Sequence, residues 1–180
     1  ESLPEQKRKA YLEGSWDVFA GQFFTEFERR LHTCLQFIPN PKDYDLIVGG
    51  MDWGRTAPFS FHVMGFQKLS YEGMPFNRCT ILCEVYGTEK TPEQWSVEIK
   101  AKLKFYNMTV KNINFIEGDP SMFTRGHDNS LAISDLFLRE GIRLRKGSND
   151  RVGGWENYHH WLRIAPDGLP YLIISQACPN

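Results

Sequence analysis

The sequence has no surplus of charge of either sign. Its 21 Lys and Arg stand against 22 Asp and Glu, a formal net charge of −1. Overall electrostatics therefore make no case for nucleic acid, and any such contact must come from a local basic patch or from another domain. Cysteine is sparse and unpatterned. Cys34, Cys79, Cys83 and Cys178 form no C-x-x-C pair, and no His lies at zinc-ligand spacing from them. Cys79-Thr-Ile-Leu-Cys83 is apolar, so its thiols read as buried and free, which suits a reducing cytosol better than a disulfide scaffold. There is no secretory leader pattern and no apolar run long enough to span a bilayer. The expectation is a soluble intracellular protein, or a piece of a longer one, with no membrane partner. A G-x-x-x-x-G-K-[ST] phosphate loop is also lacking, so the chain should not hydrolyse ATP by itself. No internal repeat and no low-complexity segment is present.

What the sequence does have is core material. Of its 180 residues, 41% are hydrophobic and 14% aromatic, enough for one globular domain with an arm. Ser2-Leu-Pro4-Glu5 is a capping-box pattern that predicts a short helix through Lys7, Arg8 and Tyr11, stopping at Gly14. Ser15 to Asn40 is aromatic and irregular and reads as an arm or short hairpin, closed by Pro39-Asn40-Pro41. Residues 1–40 thus form a helix and arm, and 41–180 the main domain.

In that domain, Asp45 to Asp52 reads as an apolar strand. Pro58 to Gln67 and Cys79 to Tyr86 read as two more, joined by a polar connection to Asn77, in an antiparallel meander. Thr91-Pro-Glu-Gln94 is a second capping box, opening a helix with Trp95, Ile99 and Leu103 on one stripe. A strand over Asn112–Glu117 follows. Next come a helix from about Asp128 to Gly141 with Ile133, Leu136 and Phe137 inward, and a strand over Ile142–Arg145. A helix over Val152–Leu162 and a strand over Tyr171–Ser175 complete the order. The order β-β-β-α-β-α-β-α-β implies an α/β fold: a mixed sheet of three antiparallel strands and then β/α units, with helices on both faces.

Two carboxylates end strands. Asp52 closes the first core strand and Asp119 lies just past the fourth. If those strands are parallel neighbours, both acids emerge at one edge of the sheet. Hard oxygen ligands placed there suit Mg²⁺ or Mn²⁺, and two such ions about 4 Å apart can drive phosphodiester hydrolysis. The plain alternative is that Asp52 before Trp-Gly and Asp119 before Pro are turn residues. Glu84 interrupts an apolar strand, either as the solvent side of an edge strand or as a third acid on the same face. Glu117 alternates with Asp119 and can share its side. Asp150 reads as a helix cap, as does His127-Asp128. His159 and His160 are adjacent in a helix and cannot share a face. Arg143, Arg145, Lys146 and Arg151 cluster around the fifth strand and its loop, and Lys100, Lys102 and Lys104 lie on the first core helix. These are solvated charges or a surface for DNA phosphates.

Taken in order, several segments resemble the nuclease domain of tailed-phage large terminase subunits. Tyr11-Leu-Glu-Gly-Ser-Trp-Asp17 with Gly21-Gln-Phe-Phe24 is similar to the segment leaving their ATPase motor. Gly50-Met-Asp52-Trp-Gly54 resembles their first acidic motif and Glu117-Gly-Asp119-Pro-Ser121 their second. Lys146-Gly-Ser-Asn-Asp-Arg-Val-Gly-Gly-Trp155 resembles the region before their last core helix. Each motif is weak alone, and the ordered set is far more specific.

The resemblance implies a ribonuclease H-like fold. It also implies a metal-dependent endonuclease that cuts concatemeric viral double-stranded DNA during packaging, in the host cytoplasm. Asp52 and Asp119 would be its metal ligands, with Glu84 and Glu117 as further catalytic candidates. The implied partners are an ATPase domain of the same chain, for which 1–40 would be the linker, a small terminase subunit and the portal protein. The family usually supplies a third acid from a C-terminal helix. No such motif occurs up to Asn180, so the expectation is that the domain continues beyond it. The competing expectations are a non-catalytic DNA-binding or packaging module of the same fold, and a resolvase- or transposase-like nuclease.

Overall fold

The computed structural model describes residues 23–35, 37–54, 57–125 and 130–178. The helix expected from Ser2, the arm before residue 23 and the His127-Asp128 cap lie outside them. The described part of the arm forms no hairpin. A single helical turn, α1 (Arg29–His32), leads into a two-residue strand, β1 (Thr33–Cys34), which joins the sheet. His32 is buried and its Nε2–H donates to the Leu162 carbonyl at 2.8 Å, tying this segment to the far end of the chain.

The meander follows as β2 (Leu46–Asp52), β3 (Phe59–Tyr71) and β4 (Met74–Gly87), antiparallel throughout. The expected polar connection between β3 and β4 is not a loop. Both strands run on to a two-residue turn at Glu72-Gly73, where φ is 49° and 79°. Positive φ at both positions matches the twist of a hairpin. The polar residues before and after it belong to strand ends that project into solvent, with Tyr71 and Met74 exposed.

Helix α2 (Pro92–Phe105) opens with the complete capping box, Thr91 and Gln94 each bonding the other's backbone. Strand β5 (Phe115–Gly118) is shorter than expected because Val110–Asn112 turn as a 3-10 helix. Helix α3 (Ile133–Arg139) begins later than expected and ends at Gly141, where φ is +79°. Ile142 is buried and its N–H caps the Phe137 carbonyl. The fifth expected strand therefore shrinks to β6 (Arg145–Lys146). Helix α4 (Arg151–Trp161) is capped by Asp150, which accepts from Gly153 N at 3.0 Å, and β7 (Leu172–Ser175) completes the sheet.

The seven strands lie in the order β1-β7-β4-β3-β2-β5-β6, with β5 parallel to β2 and to β6, and β7 parallel to β4 and to β1. One face packs on α2 and α3. Trp95, Ile99, Leu103 and Phe137 meet Phe59, Phe61, Val63, Val85 and Ile116 in the main core, with Phe59 stacked on Trp95 at 4.5 Å. A smaller core lies on the other face, where Trp161 and Leu162 at the end of α4 meet Phe66, Met64, Cys79, Ile81 and Leu172.

A β-bulge makes this division. The register slips between Val63 and Met64, so Leu82 is skipped. Leu82 and Cys83 both join the main core, while Ile81 joins the smaller one. Helices thus cover both faces, as the element order requires. Among the described residues no helix is long and apolar enough to cross a membrane.

Candidate functional site

β2 is apolar because it is central, with Ile47, Val48 and Met51 buried. Its parallel pairing with β5 sets Gly50 opposite Glu117 and Met51 opposite Gly118. One step further, Asp119 N–H still donates to the Met51 carbonyl at 3.0 Å. Asp52 and Asp119 therefore sit side by side at the carboxyl end of two adjacent parallel strands. Asp52 is exposed and Asp119 half-buried. Asp119 Oδ1 accepts from Ser121 N at 2.8 Å and so also caps the 3-10 turn Pro120–Phe123, the role its Asp-Pro sequence suggested.

Strand alternation places Gly50 and Asp52 on the same side of the sheet, the side that carries the smaller core. Cross-strand pairing extends one row across that face: Glu84 on β4, His62 on β3, Gly50 on β2, Glu117 on β5 and Arg145 on β6. The row is bound together at both ends. Glu84 is only 3% exposed, and its Oε2 lies 3.1 Å from His62 Nε2. The solvent-side alternative for Glu84 thus fails: its carboxylate is buried on the same face as Asp52. At the other end Arg145 Nε and Nη2 donate to Glu117 Oε1 at 3.1 and 2.8 Å. The Arg145 guanidinium carbon lies 3.2 Å from the centroid of the Phe115 ring, a cation–π stack that fixes the plane of the fork.

Arg143 and Lys146 are exposed beside this pair, and Arg151 is the first residue of α4. Lys100 lies 3.6 Å from Glu140 on the opposite, α2 side of the sheet. The two adjacent histidines point to different partners, as helical spacing requires. His159 Nδ1 is 2.8 Å from Glu26 and His160 stacks on Tyr171.

Among the described residues, no three His, Cys, Asp or Glu side chains gather into a group that could hold a metal ion. What the fold brings together is the Asp52–Asp119 pair. Two exposed or half-exposed carboxylates on neighbouring strand ends are the oxygen donors a hard divalent cation takes, with water filling the remaining positions.

His62 escaped the sequence reading. Its signal was its place in Phe61-His62-Val63, where alternation sends it to the face opposite two core residues. Pairing it with Glu84 required the bulge, which the sequence does not announce.

No family model and no curated protein sequence matches the chain. Solved structures do. The chain resembles the nuclease domain of the P22 large terminase with a TM-score of 0.60 at 12% identity, covering 89% of this chain and 75% of that one. It resembles the large terminase of a thermophilic bacteriophage in one crystal form with a TM-score of 0.61 at 20% identity, covering 99% of this chain and 42% of the other. In complex with ATP-gamma-S the same terminase gives 0.60 at 17% identity over 98% and 43%. The chain thus spans less than half the length of the thermophilic-phage protein.

Identities this low speak to the fold, and the fold is a ribonuclease H-like α/β sheet. More particularly, it is the fold of a large-terminase nuclease domain.

Proposed function

We propose that the chain is a divalent-metal-dependent DNA endonuclease domain that cuts double-stranded DNA during phage genome packaging. The observation that carries this reading is the parallel β2–β5 pair, which sets Asp52 and Asp119 side by side at the sheet edge. These two residues would hold Mg²⁺ or Mn²⁺, and a third ligand would come from outside the described residues. A divalent ion there supplies Lewis acidity to the scissile phosphate and a nucleophile from water at neutral pH. The chain's own contribution is placement. A rigid, doubly covered sheet holds both carboxylates at fixed strand ends, and the exposed Arg143 and Lys146 offer phosphate contacts nearby. The expected setting is the host cytoplasm, in a longer chain with an ATPase domain, working with a small terminase subunit and a portal.

The test is nicking of supercoiled plasmid by the full-length protein with Mn²⁺ or Mg²⁺. Asp52→Asn and Asp119→Asn should each lower the rate by roughly a hundredfold or more, because a lost ligand forfeits several kcal/mol of charge stabilisation. Circular dichroism checks that both variants stay folded. A folded variant that cuts like the parent removes its residue from the site. Unimpaired cutting by both would move the reaction away from this site, and a parent protein that does not cut with either metal would leave a non-catalytic packaging module as the better reading of the domain.

A further inference from the structure

We infer that the cross-strand row beside the Asp52–Asp119 edge is a two-point grip for the sugar-phosphate backbone of nucleic acid. His62 and Arg145 are the contacts, and Glu84 and Glu117 are their positioning residues. The inference rests on the nuclease reading for its ligand but concerns residues outside the metal pair.

His62 and Arg145 are each held by a glutamate of the same row. Glu84 is buried and accepts from His62 Nε2–H, while the His62 ring stays about one-third exposed. A buried carboxylate is costly unless paired, so this one fixes the ring's orientation from below. Among the described residues His62 Nδ1 has no hydrogen-bond partner. The imidazolium form, with N–H at both nitrogens, suits a carboxylate on one side and a phosphate on the other. Arg145 is built alike. Glu117 takes Nε and Nη2, Phe115 takes one planar face, and the remaining guanidinium N–H groups lie on a half-exposed side chain.

Between the two stands Gly50, where an added Cβ would meet only Met64 Cε at 3.6 Å. The row is therefore bare at its centre, between His62 on one side and the Glu117–Arg145 pair on the other. His62 and Arg145 are three strand spacings apart, about 14 Å. They cannot share one phosphate. Over that length one strand of a duplex carries roughly four phosphates at 3.4 Å each, so they fit separate phosphates of one strand. Asp52 is two residues along β2 from Gly50 on the same face, so a strand gripped by the row runs next to the acidic edge.

The test measures binding of a short fluorescein-labelled duplex by anisotropy in EDTA, so that cutting plays no part. His62→Gln and Arg145→Gln should each weaken binding several-fold, and Arg145→Gln should also lower the salt slope of log K by about 0.9, the loss of one charged phosphate contact. In the unaltered protein, NMR signals of the His62 ring should move on titration with DNA while those of His32, sealed in the interior, stay put. This arm needs no variant to fold. Unmoved His62 signals, or variants with parental affinity and salt slope, overturn the grip and leave the Asp52–Asp119 proposal to its own nicking assay. A protein that binds no duplex at all in EDTA likewise overturns the grip.

Discussion

Neighbouring glycines on β2 should respond in opposite ways to a single methyl. A Cβ at Gly49 would point into the main core, 3.0 and 3.2 Å from two carbons of Ile116 and 3.1 Å from Phe61 Cε2. Ile116 and Phe61 are buried to 2% and 1% exposure and are held by α2 and α3, so neither can yield easily. Overpacking of this kind costs about 1–3 kcal/mol, and the backbone entropy removed from the unfolded chain returns about 0.4–1 kcal/mol. Gly49→Ala should therefore lose about 1–2 kcal/mol. In a domain of this size that is a fall in Tm of roughly 2–8 °C.

Gly50→Ala adds its methyl to the open face at ordinary van der Waals distance, and stability should hold or rise by a few tenths of a kcal/mol. The same methyl should weaken duplex binding, because it fills the floor between His62 and Glu117. Thermal melts of the two variants with a parallel anisotropy titration decide the matter. Equal losses of stability at both positions would refute the assignment of the two faces.

Two further outcomes follow from burial and pairing. Burial pushes the Cys79, Cys83 and Cys178 thiols up to about 12, and raises Cys34 as well. Near pH 8, where an ordinary thiol of pKa about 8.5 is partly thiolate, iodoacetamide should label the folded protein slowly and the denatured protein quickly at all four positions. Fast labelling of Cys79 in the folded state would contradict its position inside the smaller core. The second concerns Asp167, whose carboxyl is held below the usual range chiefly by the hydrogen bond from buried Arg78, at 2.6 Å. Since the folded value is the lower one, its contribution to stability is complete above the unfolded carboxylate range and is lost as pH falls through the folded value. Urea melts of Asp167→Asn should show less stability than the parent at neutral pH, with the gap closing on acidification. A gap that widens in acid would reverse the sign of the linkage.

How far the sequence foretells this molecule depends on what each element answers to. Capping chemistry is local, so the box at Thr91 and Gln94, the Asp150 cap and the Gly141 stop were legible from a few residues each. The meander and the mixed sheet were legible too, because apolar alternation reports a buried face. Register was not. Counting outward from the Glu72-Gly73 turn, where Tyr71 faces Met74, would set His62 opposite Cys83. The bulge at Leu82 advances the pairing by one and delivers Glu84 instead. That one-residue slip decides whether a buried thiol or a buried carboxylate lies beside the histidine, and nothing local to Ile81-Leu82-Cys83 signals it. Strand ends behaved similarly. Ile142 looked like strand and serves as the lock on α3, because its neighbour Gly141 turns the chain first. The adjacency of Asp52 and Asp119 was conditional on parallel pairing of β2 and β5, which the β/α order suggested and the register supplies.

The short β1–β7 pair has a mechanical meaning. The two strands are parallel, Thr33 beside Ile174 and Cys34 beside Ser175, and Gln176 N–H reaches back to the Cys34 carbonyl at 3.0 Å. Tension entering on the upstream side of β1 and leaving on the downstream side of β7 draws the strands past each other along their length. That is a shearing load, in which the cross-strand bonds share the force and give way together. An antiparallel hairpin pulled at its open end would lose them one at a time. The latch sits at the sheet edge farthest from β5 and β6, so a tug on the flanking chain would meet resistance there before it could disturb the carboxylates near the other edge.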